Sequence, residues 1–172
     1  MLKIITSMRQ LKFSELMQIY IESNRIKGSE YYPHIASEAQ LLEAEQDMYQ
    51  YLSTVFFKQE QAFYAVWEVD NTYRSAVRFE SYADGLLMCA LETDPIYRNQ
   101  GFAEQLLNAV KRFLSMQNGG RVYAHVSKVN TASLALHRKC GFNVIKNHAV
   151  FLDGSVEYGS LTLLLECKKS ET

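Results

Sequence analysis

Six consecutive residues, Arg98-Asn99-Gln100-Gly101-Phe102-Ala103, have the types and the setting for chemistry on an anion. They follow an almost continuously apolar run, Leu86 to Thr93, that reads as a strand covered on both faces. Pro95 then ends ladder pairing, because it has no N–H to donate. Beyond the loop, Phe102, Leu106, Leu107, Val110 and Leu114 recur at helical spacing, and Asn118-Gly119-Gly120 supplies a stop. A strand–loop–helix unit leaves backbone N–H groups without partners at the helix start, where the dipole is positive, and that favours a bound anion. Gly101 lets backbone approach a ligand, and Ala103 keeps the next position small. The loop lacks the Gly-Lys-Ser/Thr ending of a P-loop and the three glycines of a dinucleotide fingerprint.

Few other residues have the spacing for a site. Glu80, Asp84 and Glu92 lie on or beside strands that flank the loop, and alternation puts Glu92 on the sheet face opposite Leu91 and Thr93. Each is an ordinary solvated carboxylate unless a partner makes it a base. His125 projects from a strand with Tyr123 and Ser127 and reads as structural, while His34 and His148 fall in irregular segments. No pair of histidines or cysteines has ligand spacing, so no metal is expected.

The 172 residues suffice for one domain, residues 1–172, that buries roughly 70% of its unfolded surface. A net charge of −1 gives no global attraction to nucleic acid or to an anionic membrane. No apolar run is long enough to span a bilayer, and MLKIITSM is too short an apolar stretch for a signal peptide. Cys89, Cys140 and Cys167 are odd in number and read as reduced thiols, which points to a cytoplasmic protein.

The elements that must position the loop follow from periodicity. Leu2 to Ile5 is a short first strand. Phe13, Leu16, Met17, Tyr20 and Ile21 mark one helix ending between Asn24 and Gly28, and Ser37-x-x-Gln40 is a capping box that starts a second, running to about Lys58. Between them, Tyr31, Tyr32, Pro33 and His34 form an aromatic loop that suits either surface packing or a substrate rim. Strands at Ala62 to Val69 and Tyr73 to Tyr82 flank the turn Asp70-Asn71-Thr72, and Ala83-Asp84-Gly85 leads into the apolar strand. After the loop helix, Arg121 to Ser127 is a strand parallel to the one before it. A short helix, Thr131 to Cys140, precedes a hairpin of Phe142 to Leu152 with Val156 to Cys167. The fold class is α+β, with a mixed, mostly antiparallel sheet of about seven strands flanked by four helices.

The loop resembles the Arg/Gln-x-x-Gly-x-Gly/Ala signature of the GNAT superfamily of N-acetyltransferases. A second segment, Asn130-Thr131-Ala132-Ser133-Leu134-Ala135-Leu136-His137-Arg138-Lys139-Cys140-Gly141-Phe142, is similar to that family's Asn-x-x-Ala-x-x-Leu-Tyr-x-Lys-x-Gly-Phe. Ser133 stands at the usual Ala, and His137 at the position where many members carry Tyr. The order of elements also matches the family over nearly the whole chain.

The resemblance implies an acyl-CoA-dependent N-acyltransferase that moves acetyl from acetyl-CoA to an amine of a small molecule, peptide or protein by direct transfer. It implies that Leu91, Glu92 and Thr93 pair with the pantetheine arm and that Arg98, Asn99, Gln100, Gly101, Phe102 and Ala103 hold the pyrophosphate. Asn130 and Ser133 would face the arm from the other side. His137 would replace the tyrosine as general acid for the departing thiolate, or else pack beside the cofactor. A homodimer is possible on the same ground. Two alternatives stay open: a GNAT-fold acyl-CoA sensor without turnover, and an α+β module that binds another phosphate ligand.

Overall fold

The computed structural model describes residues 1–169. Its core is a seven-stranded mixed sheet in the order β1-β2-β3-β4-β5-β9-β6. The strands are β1 (Leu2–Ile5), β2 (Phe63–Val69), β3 (Thr72–Tyr82), β4 (Gly85–Thr93), β5 (Gly120–Ser127), β6 (Asn143–Lys146) and β9 (Ser160–Cys167). A separate two-stranded ribbon, β7 (Ala149–Val150) with β8 (Val156–Glu157), interrupts the expected final hairpin. Helices α1 (Phe13–Ile19), α2 (Ile21–Tyr31) and α3 (Ser37–Thr54) accompany one face, and α4 (Phe102–Gln117) and α5 (Thr131–Lys139) the other.

The two faces have separate apolar layers. Phe63, stacked on Phe79 with ring centroids 4.7 Å apart, packs with Leu106, Val110 and Leu114 of α4. Tyr64 and Val66 project the other way, onto Leu16 and Ile19 of α1 and Leu52 of α3. This is the alternation of a pleated strand buried on both sides. β1 through β4 are successively antiparallel, and β4 to β5, joined by α4, is the parallel step.

Four expectations need correction. The first helix is two: it breaks at Tyr20 (φ −91°, ψ 11°), whose hydroxyl donates to the Ala90 carbonyl at 2.7 Å, so five helices flank the sheet instead of four. No glycine or proline lies at the break, and the tertiary bond to Ala90 is made there. Gly28 does not stop a helix but lies inside α2, where a Cβ would sit 2.4 Å from the Gln40 carbonyl oxygen; it lets α3 approach. The Ser37/Gln40 capping box is absent, because Ser37 makes no cap bond and Gln40 Nε2 donates instead to the Tyr32 carbonyl at 2.9 Å. Finally, β4 is not covered on both faces along its length. Leu87 and Met88 are buried, but Cys89 and the residues after it are only partly buried or exposed.

Candidate active site

β4 and β5 begin as neighbours and then part. Their pairing covers Leu86, Leu87 and Met88 with Val122, Tyr123 and Ala124, and ends there. β5 meanwhile stays paired with β9 from Gly120 to Ser127. From Cys89 onward the backbone of β4 that faces β5 therefore has no ladder partner, although such groups rarely go unpaired in a folded protein. At Ala90 the strand kinks (φ 53°), and the Tyr20 hydroxyl holds the kinked carbonyl.

The gap opens into a cleft of about 590 Å³. Leu91, Glu92 and Thr93 form one wall, and Arg98, Asn99, Gly101, Phe102 and Ala103 one end, with Asn130 and Ser133 opposite. Gln100 does not line it. Gly101 caps α4 in the left-handed region (φ 78°), and its carbonyl accepts from Gln105 N at 3.0 Å. The N–H groups of Phe102, Ala103 and Glu104 in the first turn thus have no helical acceptor. Across the cleft, the Asn130 side chain caps α5 by accepting from Ser133 N at 3.0 Å.

Charges at the rim are compensated. Arg98 Nη1 lies 2.7 Å from Glu22 Oε2 of α2, and Glu104 is held by Lys139 Nζ at 2.7 Å. The Glu92 side chain points to α2, where Ser23 Oγ donates to it at 2.5 Å. Burial raises its pKa, against the lowering effects of that bond and of Arg98. Asp84 is bound to Arg121 and to the Tyr123 hydroxyl, and the latter bond chiefly holds its pKa down. Glu80 accepts from the Cys89 thiol at 3.5 Å.

A second cavity of about 310 Å³ adjoins the cleft, sharing Leu91 and Ser133 with it. His137 lines it, 3% exposed, with its ring edge on Phe142 and Nδ1 2.7 Å from the Ser133 carbonyl. A carbonyl can only accept, so Nδ1 carries the proton and Nε2 the lone pair in the neutral ring. Burial lowers its pKa below the usual 6.5. His125 lines the same cavity between the edges of Tyr82 and Phe151.

Among the described residues no group of three or more His, Cys, Asp or Glu is placed to hold a metal ion. All three cysteines are free thiols, and no described helix is long and apolar enough to cross a membrane. Three features escaped sequence reasoning: the Tyr20 tether, the Ala90 kink and the partly buried cation Arg78. None has a local signal, since Tyr20 fits a helix and Ala90 and Arg78 fit strands.

A splayed parallel pair beside a glycine-capped helix, within this strand order, defines an acyl-CoA N-acyltransferase fold. The sequence profile of the acetyltransferase (GNAT) family matches residues 14–142, and the chain belongs to that family. A comparison with curated proteins finds no match in sequence. Among solved structures, the chain is similar to the ribosomal-protein-S18-alanine N-acetyltransferase from Escherichia coli. The TM-score is 0.61 at 17% identity, over 99% of this chain and 97% of that one. It is likewise similar to the PaiA N-acetyltransferase from Thermoplasma acidophilum in complex with coenzyme A (TM-score 0.60, 16% identity, 99% of both chains). An N-acetyltransferase from Staphylococcus aureus Mu50 aligns with TM-score 0.58 and 16% identity, over 98% of this chain and 99% of that one. At these identities the likeness is one of fold.

Proposed function

We propose that the chain transfers acetyl from acetyl-CoA directly to a primary amine of a small molecule or peptide, with both substrates bound at once. The observation that carries this reading is the unpaired edge of β4 beside the free N–H groups of α4. Amides of the pantetheine arm would complete the ladder at Leu91, Glu92 and Thr93. The pyrophosphate would lie on the backbone of Arg98 through Ala103, with Gln100 contributing main chain only, and Asn130 and Ser133 would border the arm. Calorimetry with CoA, acetyl-CoA and adenosine diphosphate tests the cleft. Binding of the first two well above the third is expected, and equal binding of all three would leave a general phosphate site.

Arg98 gives a sharper test. Its ion pair with Glu22 is half exposed and worth at most about 1 kcal/mol, whereas a charge-assisted bond to phosphate is worth roughly 1.5–3 kcal/mol. The guanidinium therefore exchanges Glu22 for pyrophosphate when CoA binds. Arg98→Ala is expected to weaken CoA more than a pantetheine analogue lacking phosphates. Equal weakening of both would mean that Arg98 acts through its tie to α2.

The attacking amine must lose a proton, and Glu92 is the carboxylate we assign to take it, directly or through water. Its burial raises its pKa, which makes it a stronger base than a solvated glutamate. His137 serves as acid for the thiolate only in the fraction that is protonated, because its neutral Nε2 has no proton to give. Because burial lowers its pKa, that contribution is present at acid pH and lost as pH rises through a value below 6.5. His137→Phe is expected to slow turnover by about 10²-fold at the acid end and little by about pH 8. Superimposable pH–rate profiles for parent and variant would return His137 to a packing role.

A further inference from the structure

On the face of the sheet toward α1 and α3, a row of side chains crosses from β2 to β4: Tyr64 pairs with Arg78, and Arg78 with Cys89. Arg78 is partly buried, and its Nε–H is shut off from solvent with no acceptor. No carboxylate among the described residues forms an ion pair with it. Its guanidinium carbon lies 5.3 Å from the centre of the Tyr51 ring, which steadies the group without neutralising it. Its neighbour Tyr64 is 0% exposed, and its hydroxyl lies beside Arg78 and the Tyr20 hydroxyl without a hydrogen bond of normal geometry to either. Burial pushes the Tyr64 phenol up, so it remains a donor at any ordinary pH. Glu80, on the same face, accepts from the Cys89 thiol and attracts Arg78 only from beyond ion-pair distance.

A cation with no carboxylate at ion-pair distance, beside a buried hydroxyl with no acceptor, is costly in a folded chain. Arg78 as a whole is only partly buried, so a ligand can reach the charge. The row ends at Cys89, one residue before the kink at Ala90, where the gap between β4 and β5 opens. We infer that Arg78 binds a carboxylate of the acceptor, and that the acceptor is therefore an amino acid or a short homologue that carries its carboxylate near the attacked amine. The inference rests on the acetyl-transfer reading for the amine half. It rests on Arg78 alone for the carboxylate half.

The planar guanidinium matches a carboxylate in two parallel hydrogen bonds, which a carboxamide of the same size cannot replace. The reach is short. Cys89, which pairs with Arg78, lines the cavity that adjoins the cleft, so amine and carboxylate belong to one small zwitterion and not to the two ends of a long chain.

Thiol release at saturating acetyl-CoA is to be measured with matched sets: an amino acid, its carboxamide, its decarboxylated amine and the corresponding aminoalkyl phosphate. The amino acid is expected to lead the carboxamide and the amine by at least about 30-fold in kcat/KM, as loss of a charge-assisted pair in a partly buried site would give. Arg78→Met should reduce that lead to within about 3-fold, mainly through KM, with CoA affinity and Tm preserved, while Arg78→Lys keeps part of it. Carboxamides or amines that match the amino acid, or a lead that survives Arg78→Met, would overturn the inference. A preference for the phosphate would overturn the carboxylate assignment.

Calorimetry of an N-acetyl amino acid against the matching N-acetyl amine, on CoA-saturated parent and Arg78→Met proteins, separates the two readings. If no acceptor releases thiol, the transfer reading falls, yet carboxylate binding that depends on Arg78 would still sustain this site. Absence of such binding would end it.

Discussion

A Gly101→Val protein is expected to fold and to give no coenzyme A heat in a calorimetric titration that is saturable with the parent. Gly101 sits at φ 78°, where a β-branched residue is strongly disfavoured. The pocket on the protein side is open, since a Cβ would meet only Gln105 Nε2 at 3.8 Å. The cost is therefore backbone strain, roughly 1–3 kcal/mol, against a total stability of about 5–15 kcal/mol. The chain can carry that loss. It relieves part of it by turning the loop out of the left-handed region, which redirects the N–H groups of Phe102 and Ala103, and the added methyls stand where the phosphates would approach. A loss beyond about 10²-fold in CoA affinity is the expected size for such a cradle, more than one charged hydrogen bond contributes. Undiminished affinity in a folded variant would take the loop out of the cofactor site.

Glu92→Gln is expected to lower kcat by about 10²–10⁴-fold, the range for a positioned general base, with acetyl-CoA affinity little changed. Glutamine keeps the shape and accepts the Ser23 hydroxyl as before, so tertiary contacts to α2 survive. The pH profile carries the sign. A base works when deprotonated, so parent activity rises with pH as Glu92 titrates, and burial places that limb above the usual 4.5. In Glu92→Gln the limb is expected to vanish. A variant with full turnover would move the base to bulk water or to another carboxylate. Asp84 is a poor substitute, because Tyr123 and Arg121 hold its pKa low.

The parts of this fold written in local chemistry were legible. Asp70 and Asn71 both take positive φ (49° and 61°), as an Asp-Asn hairpin turn between two apolar strands requires. The apolar stripe of α4 and the glycine before it gave the loop its place, and the order of elements gave the sheet. What was not legible depends on contacts between distant segments. Tyr20 is an unremarkable helix residue until its hydroxyl meets Ala90, seventy positions away in sequence. Ala90 carries no turn signal, yet it kinks where pairing between β4 and β5 has already ended. Ser37 and Gln40 had the spacing of a capping box, but the chain brings Gln40 to the Tyr32 carbonyl instead. Arg78 lies in a strand of mixed polarity with Glu80 two positions on, and nothing in that spacing marks it as lacking an ion pair.

Direct transfer is tested most directly by thiol release from acetyl-CoA in the presence and absence of an amine panel, with the product followed by mass spectrometry. The expected result is release that depends on the amine, one N-acetylated amine per thiol. Double-reciprocal lines should intersect, because both substrates bind before transfer and no acyl-enzyme forms. Parallel lines with an acetylated protein would contradict direct transfer. Tight acetyl-CoA binding with no thiol released by any amine would contradict the enzyme itself and leave a protein that only senses the ligand.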